Sequence, residues 1–308
     1  MNLVNELFPG NLIKIFGRLE NLIGEIQEIR IRVKQPVTIR ISGSEKILSQ
    51  EGQVGENIQN AFCPNEKDME EIVKHICYSS PYAYEEEIRR GYITVKGGHR
   101  VGLSGQAVLK GNNEIKTLKN ISFINIRIAH EIKGAGERLL HAVYDRDCVH
   151  NTLIVSPPGY GKTTLLRDII RNISDGNIYA KGKNCVIIDE RSEVAGCYNG
   201  VPQLNVGVRT DVMDACPKAI GMMMAIRSMA PQVMAVDELG TEEDIRALFS
   251  VVRSGCRILT TIHGDSLESL CEKSFLKEVM NEKVFSRYII IKNRQHDTEI
   301  WDGNLKKC

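Results

Sequence analysis

The stretch Leu153-Ile-Val-Ser-Pro-Pro-Gly-Tyr-Gly-Lys-Thr-Thr-Leu-Leu166 constrains the fold more than any other part of the chain. A short apolar run comes first, then a loop with glycines at 159 and 161, then a segment able to continue as helix. A phosphate site needs backbone N–H groups converging at a helix N-terminus, glycines where side chains would block approach, and one long cation. Strand, loop and helix in this order supply all three. The loop consists of Ser156, Pro157, Pro158, Gly159, Tyr160, Gly161, Lys162, Thr163 and Thr164. It departs from the G-x-x-x-x-G-K-[ST] pattern only in carrying Ser156 at the first glycine. Read this way, Lys162 bridges the β- and γ-phosphates of ATP and the Thr163 hydroxyl ligates Mg²⁺.

Short apolar runs around this loop alternate with helical segments: Leu153 to Val155, Cys185 to Ile188, Val233 to Val236 and Ile258 to Ile262. That texture predicts an α/β domain, a parallel sheet with crossover helices, over residues 131–308. Thr241-Glu-Glu-Asp244 reads as a capping box opening a helix to about Arg253. Tyr288 to Ile291 and Thr298 to Trp301 read as a closing hairpin, and Met222, Met223 and Met224 as core filling on a helix.

Ligands of such sheets sit beyond the carboxyl ends of the strands, so polar residues ending the apolar runs are the candidates. Val233-Met-Ala-Val-Asp-Glu238 supplies Asp237 as the metal-side acid and Glu238 as the base that polarises water. Glu190, in Asp189-Glu-Arg-Ser-Glu193, orients the lytic water or holds a metal water. His263, closing Leu259-Thr-Thr-Ile-His263, senses the γ-phosphate.

At 308 residues the chain exceeds the usual single core. Residues 1–130 read as a smaller α+β domain. Leu3, Leu7, Leu12, Ile15, Phe16, Leu19 and Leu22 recur at helical spacing, broken at Pro9-Gly10. Glu28 to Val33 and Val37 to Ile41 alternate as strands; residues 66–77 and 84–90 read as helices. Strands follow at 92–95, 100–103 and 121–128, with turns at Gly97-Gly98 and Gly111-Asn112. Gly134 to Asp147 reads as a helix entering the second domain.

The net charge of +1 leaves no global field toward nucleic acid or anionic lipid. A RecA-type nucleic-acid motor is the rival reading. It lacks a clustered Lys/Arg tract with interleaved aromatics, so no nucleic acid is expected. Nine cysteines at scattered spacings without a C-x-x-C pair point to reduced thiols in a cytosol. No signal peptide opens the sequence, and no run reaches the roughly 18–20 apolar residues of a membrane span. Membrane association therefore needs a partner. A nucleotide-dependent switch acting on a membrane partner would use the same residues as a motor.

The ordered set Glu28-Ile-Arg-Ile-Arg-Val33, Gly91 to Leu103, Asn125-Ile-Arg-Ile-Ala129, Asn151 to Asp168, Asp189 to Glu193, Arg209 to Asp214 and Ala225 to Gln232 resembles the stage III sporulation AA family of endospore-forming bacteria. That family is similar to the hexameric ATPases of type II and type IV secretion. The resemblance implies a RecA-like P-loop C-terminal domain and an N-terminal domain that rocks against it, with ATP between them. It implies a homo-hexamer, cytoplasmic in the mother cell, reaching the membrane through proteins of a channel to the forespore. By position, Arg100 and Arg127 resemble the N-terminal arginines that reach the terminal phosphates in the secretion ATPases. Arg209 and Arg227 are weaker candidates. Those ATPases carry Gly-Glu where this chain has Asp237-Glu238, which leaves the division of labour between Glu190 and Glu238 open.

Overall fold

The computed structural model describes residues 3–78, 84–111, 114–293 and 297–308. The chain divides into two compact units, Met1–His130 and Glu131–Cys308.

The first unit is an antiparallel sheet with helices. Its elements are α1 (Leu3–Leu7), α2 (Ile13–Phe16), β1 (Ile26–Arg32), β2 (Thr38–Ile41), β3 (Ser44–Leu48), β4 (Val54–Gly55), α3 (Glu66–Ile76), α4 (Glu85–Arg90), β5 (Tyr92–Val95), β6 (His99–Lys110) and β7 (Glu114–Arg127), with strand order β4-β3-β2-β1-β7-β6-β5. Alternation sorts the sheet's two sides: Ile29, Ile31, Val101, Ile124 and Ile126 are buried in the core, while Arg30 and Arg127 are exposed. Leu3, Leu7, Phe8, Phe16 and Leu19 join that core, and the rings of Phe8 and Phe16 stack 3.8 Å apart. The amphipathic start is thus a set of short helical pieces separated at Pro9-Gly10. β6 and β7 run well past the expected 100–103 and 121–128, pairing with each other as far as Lys110 and Glu114. Their outer sequence, Ser104 to Lys110 and Glu114 to Asn120, lacks the strict apolar alternation that marks a half-buried strand. The expected turn at Gly111-Asn112 includes a residue outside those described.

The second unit contains α5 (Leu140–Val143), β8 (Tyr144–Asp145), β9 (Cys148–Val149), β10 (Thr152–Ser156), α6 (Lys162–Asp175), β11 (Cys185–Asp189), β12 (Thr210–Asp214), α7 (Lys218–Ser228), β13 (Val233–Val236), α8 (Glu242–Arg253), β14 (Arg257–His263), α9 (Leu267–Cys271), α10 (Lys277–Asn281), β15 (Arg287–Ile291) and β16 (Thr298–Asp302). Strand order is β12-β11-β13-β14-β10-β15-β16, parallel except for the antiparallel β15–β16 hairpin. Both faces are covered, which is why the central strands read as continuous apolar runs. Leu153, Val155, Val186, Ile188, Met234 and Val236 pack with α7 and α8 on one side. Ile154, Ile187 and Ala235 pack with Leu165, Ile169, Ile170 and Ile173 of α6 on the other. Asn151 ties three strands together: its Nδ2 donates to the Val284 carbonyl at 3.0 Å, its Oδ1 accepts from Ile258 N–H at 3.1 Å, and its carbonyl accepts from Ser286 and Arg287. Thr241 caps α8 with the reciprocal Asp244 bond of a capping box.

Two expectations are corrected. Gly134 to Asp147 is a 3₁₀ turn at Glu137–Leu139 and the single turn α5, followed by the β8–β9 hairpin. The polar run Asp145-Arg146-Asp147 makes that hairpin's turn, with Arg146 at φ +55. Of the three methionines on α7 only Met222 is fully buried, Met223 is half-buried and Met224 is exposed. Successive helical residues point 100° apart, so three in a row cannot share one face. Among the described residues no helix is long and apolar enough to cross a membrane.

Candidate nucleotide site

Four parallel strands, β10, β11, β13 and β14, end on one edge of the second unit's sheet, and the loops beyond them carry the polar residues. After β10 the chain takes left-handed geometry at Gly159 (φ +77) and Gly161 (φ +80), positions where a Cβ would be strained. A Cβ at Gly159 would meet nothing within 4 Å, so conformation alone selects glycine there. Gly161 precedes α6 without a side-chain cap, leaving the first-turn N–H groups for an anion. Ser156, the departure from the motif, is buried at the end of β10 in ordinary strand geometry, and its Oγ donates to the Pro157 carbonyl at 3.1 Å. That backbone does not require glycine. Pro158 is exposed, Pro157, Tyr160 and Thr164 are half-buried, and Tyr160 packs on the α6 side of the core.

Lys162 opens α6, is 7% exposed, and places Nζ 2.9 Å from His263 Nδ1 at the end of β14. Burial lowers its ammonium below the usual lysine value, and the nearby carboxylates of Glu238 and Asp237 oppose this. His263 Nε2 lies 2.9 Å from Glu238 Oε1. One imidazole tautomer satisfies both contacts, with Nδ1 accepting from Lys162 and Nε2–H donating to Glu238. Glu238 itself has φ +46, a left-handed backbone that turns its side chain back toward β14. Asp237 is half-buried between two hydroxyls. Thr163 Oγ1 donates to its Oδ2 at 3.3 Å and Thr261 Oγ1 to its Oδ1 at 2.9 Å. The same Thr261 oxygen accepts from Glu238 N–H at 2.9 Å. Burial holds the Asp237 carboxyl above its usual range, against the Thr261 bond.

Asp189 at the end of β11 is 1% exposed. Its Oδ1 accepts from Glu193 N–H at 2.9 Å and its Oδ2 from Val194 and Ala195 at 3.0 and 2.8 Å. Burial pushes this carboxyl up to about 6 in spite of those bonds. The turn it builds sends Glu190 outward, where the carboxylate pairs with Lys218. A cavity of about 540 Å³ lies here, lined by Glu190, Lys218, Asp237, Glu238 and Thr241 among others. Sequence reasoning missed Asp189, Lys218 and Thr261. Thr261 lies two residues before His263 on the same side of a strand, but neither it nor Lys218 carries a local signal of its contacts.

Thr163 and Asp237 offer the hydroxyl and carboxylate oxygens that Mg²⁺ takes. Among the described residues no three His, Cys, Asp or Glu side chains converge as a metal cage. That donor set fits an ion completed by phosphate oxygens and water. In the first unit Arg100 and Arg127 stand directly opposite each other on β6 and β7, and the Arg100 guanidinium lies 3.5 Å over the Tyr92 ring. Arg209 donates to the Ser174 carbonyl at 3.0 Å. Ser174 lies at the far end of α6, about 18 Å along the helix from Lys162, so Arg209 is outside the cluster. Arg227 is exposed in the last turn of α7, at the opposite end from Lys218.

Residues 2–304 match the family described as "Sporulation stage III, protein AA". Stage III sporulation protein AA of Bacillus subtilis (strain 168) is 40% identical over 290 residues, 94% of this chain and 90% of that protein. The chain belongs to the stage III sporulation protein AA family. Among solved structures, this family member is similar to the ATPase DotB of Yersinia pseudotuberculosis, with a TM-score of 0.62 at 13% identity over 97% of this chain and 81% of that one. It is also similar to the pilus retraction motor PilT with bound ADP, at a TM-score of 0.59 and 15% identity over 90% and 77% of the two chains. At such identities the likeness concerns the fold, a RecA-like P-loop unit accompanied by a smaller α+β unit.

Proposed function

We propose that this stage III sporulation AA protein is a Mg²⁺-dependent ATPase whose site is the cluster at the strand ends of the second unit. One observation carries the reading. Lys162 and Thr163 of the phosphate loop meet His263 and Asp237, which lie 101 and 74 residues away in the chain, at hydrogen-bond range. Mg²⁺ bound with the nucleotide would screen the phosphate charge. The chain's own groups do the rest. Residues 156–164 cradle the phosphates, and Lys162 leaves His263 to neutralise the terminal ones. Thr163 and Asp237 hold the metal side. Glu238, fixed by Thr261 and His263, accepts a proton from the attacking water; Glu190 orients that water; His263 answers to the γ-phosphate. The proposal includes Arg100 and Arg127 as cations that stabilise transition-state charge. It includes a homo-hexamer in the mother-cell cytoplasm that couples hydrolysis to assembly of, or transport through, a channel to the forespore via membrane proteins.

The test is turnover of Mg²⁺-ATP by the purified full chain, with and without Lys162→Ala. The variant loses turnover; wild-type rates in it would sink the proposal. Glu238→Gln binds ATP without hydrolysing it. If Glu190→Gln does so instead, the base is Glu190.

A further inference from the structure

We infer that Lys218 is a positioning residue that holds Glu190 in the cavity, so that the water attacking ATP is oriented from a fixed carboxylate. The inference rests on the ATPase reading above and assigns a role to a residue outside the phosphate loop and the acidic strand.

Lys218 is the first residue of α7, where the helix dipole disfavours a cation. Its ammonium is nonetheless drawn inward, with the side chain 14% exposed, and is ion-paired to Glu190, whose side chain is 37% exposed. A lysine in that place needs a compensating partner, and Glu190 is that partner. The converse also holds. Glu190 shares its cavity with the carboxylates of Asp237, Glu238 and Glu193. Mutual repulsion among these carboxylates would push Glu190 away from the others. The cation opposes that push and keeps Glu190 facing the cavity.

The lysine can act in this way because its backbone is anchored. Pro217 precedes α7, and Gly221, one turn in, lies directly against β11. A Cβ there would approach Ile188 Cγ2 to 2.7 Å and Cys216 Sγ to 3.2 Å. The missing side chain thus lets the start of α7 press on the strand that ends in Asp189-Glu190. Lys218 and Glu190 therefore spring from two elements in direct contact, and the ion pair spans a fixed gap. Glu238 is held differently, by backbone strain, Thr261 and His263. The two acids thus have separate supports, as two separate roles require.

The experiment compares Lys218→Met, which keeps length and loses charge, with Lys218→Arg, in full-length protein. It measures kcat and KM for Mg²⁺-ATP, equilibrium binding of a fluorescent ATP analogue, and urea stability through the fluorescence of Trp301. Lys218→Met lowers kcat by about 10- to 100-fold and leaves analogue binding within about twofold; Lys218→Arg recovers most of the rate. In a Glu190→Gln background Lys218→Met has little further effect on rate or stability, since the lysine acts through that carboxylate. Three results overturn the inference: a wild-type kcat in Lys218→Met, an undiminished loss in the Glu190→Gln background, or a matching loss of analogue binding. If Lys218→Met does not fold, Lys218→Gln takes its place under the same criteria. Absence of turnover in the wild-type chain would refute the ATPase reading itself. Turnover in the wild type with an insensitive Lys218 would refute this inference alone.

Discussion

Thr261→Val removes one oxygen from a buried strand and changes shape hardly at all, which makes it a clean probe of the acidic site. Thr261 is fully buried on β14, and its hydroxyl does two things: it donates to Asp237 Oδ1 and accepts from the Glu238 N–H. In the valine variant a half-buried carboxylate loses a donor and a half-buried backbone N–H loses its acceptor. A hydrogen bond to a charged group contributes about 1.5–3 kcal/mol and a buried orphan amide costs about 1–3 kcal/mol; with both groups half-buried here, the variant loses roughly 2–4 kcal/mol. The loss also depends on pH. Burial has raised the Asp237 carboxyl above its free value, so its contribution to folding is greatest at low pH and falls as pH rises through the raised value. The Thr261 bond lowers that value, and removing it raises the carboxyl further, so the loss is larger at pH 8 than at pH 5. The single tryptophan, Trp301 on β16, reports unfolding of the second unit without interference from the first. Urea titration followed at Trp301 should show a midpoint lower by on the order of 1 M at pH 8, and by less at pH 5. A midpoint within 0.2 M of wild type at pH 8 (about 0.5 kcal/mol), or a deficit that grows toward acid, would refute the reasoning.

Three further outcomes are expected. Asp189→Asn removes a carboxyl held at about 6; because the folded value lies above the free one, wild type loses stability as pH rises between them and the variant does not. The stability difference therefore moves toward the variant by about 2.4 kcal/mol between pH 4 and pH 7, and a pH-independent difference in urea titrations contradicts it. Gly159→Ala meets no steric obstacle within 4 Å, so it loses only the left-handed conformational term, about 1–2 kcal/mol, with weaker ATP-analogue binding; unchanged stability and binding would show that the loop relaxes freely. Arg127→Ala lowers turnover more than nucleotide affinity, and an unchanged kcat returns Arg127 to a surface role on β7.

What could be read in the chain was what is local in it. The phosphate loop is contiguous, and its glycines, lysine and threonine carry their geometry with them. Apolar runs between helical segments gave away the parallel sheet, because strands covered on both faces need apolar residues throughout. Short or irregularly patterned strands stayed hidden: β3 is Ser-Glu-Lys-Ile-Leu, β12 is Thr-Asp-Val-Met-Asp, and the outer halves of β6 and β7 lack strict apolar alternation. Contacts made across the sheet were equally invisible. Nothing near Thr261 in sequence announces that it bridges Asp237 and Glu238, and Lys218 looks like any helix-opening lysine until α7 is seen against β11. The expected helix from Gly134 to Asp147 stops at α5 because Asp145-Arg146-Asp147 turns the chain into the β8–β9 hairpin.

The place of β10 in its sheet has a consequence for how the protein is made. Its two neighbours are β14 and β15, both encoded far downstream. A ribosome adding about 5–20 residues per second needs roughly 5–20 s after finishing the phosphate loop to reach β14, and longer to reach β15. Through that interval β10 has no native strand beside it, and His263 has not yet been synthesised. The earlier strands β11 and β13 can pair with each other, but the gap between them and β10 closes only when β14 arrives. Assembly of the candidate site is thus tied to near-completion of the chain, and a truncated product ending before Arg257 would carry the whole of residues 156–164 with neither native neighbour strand beside β10.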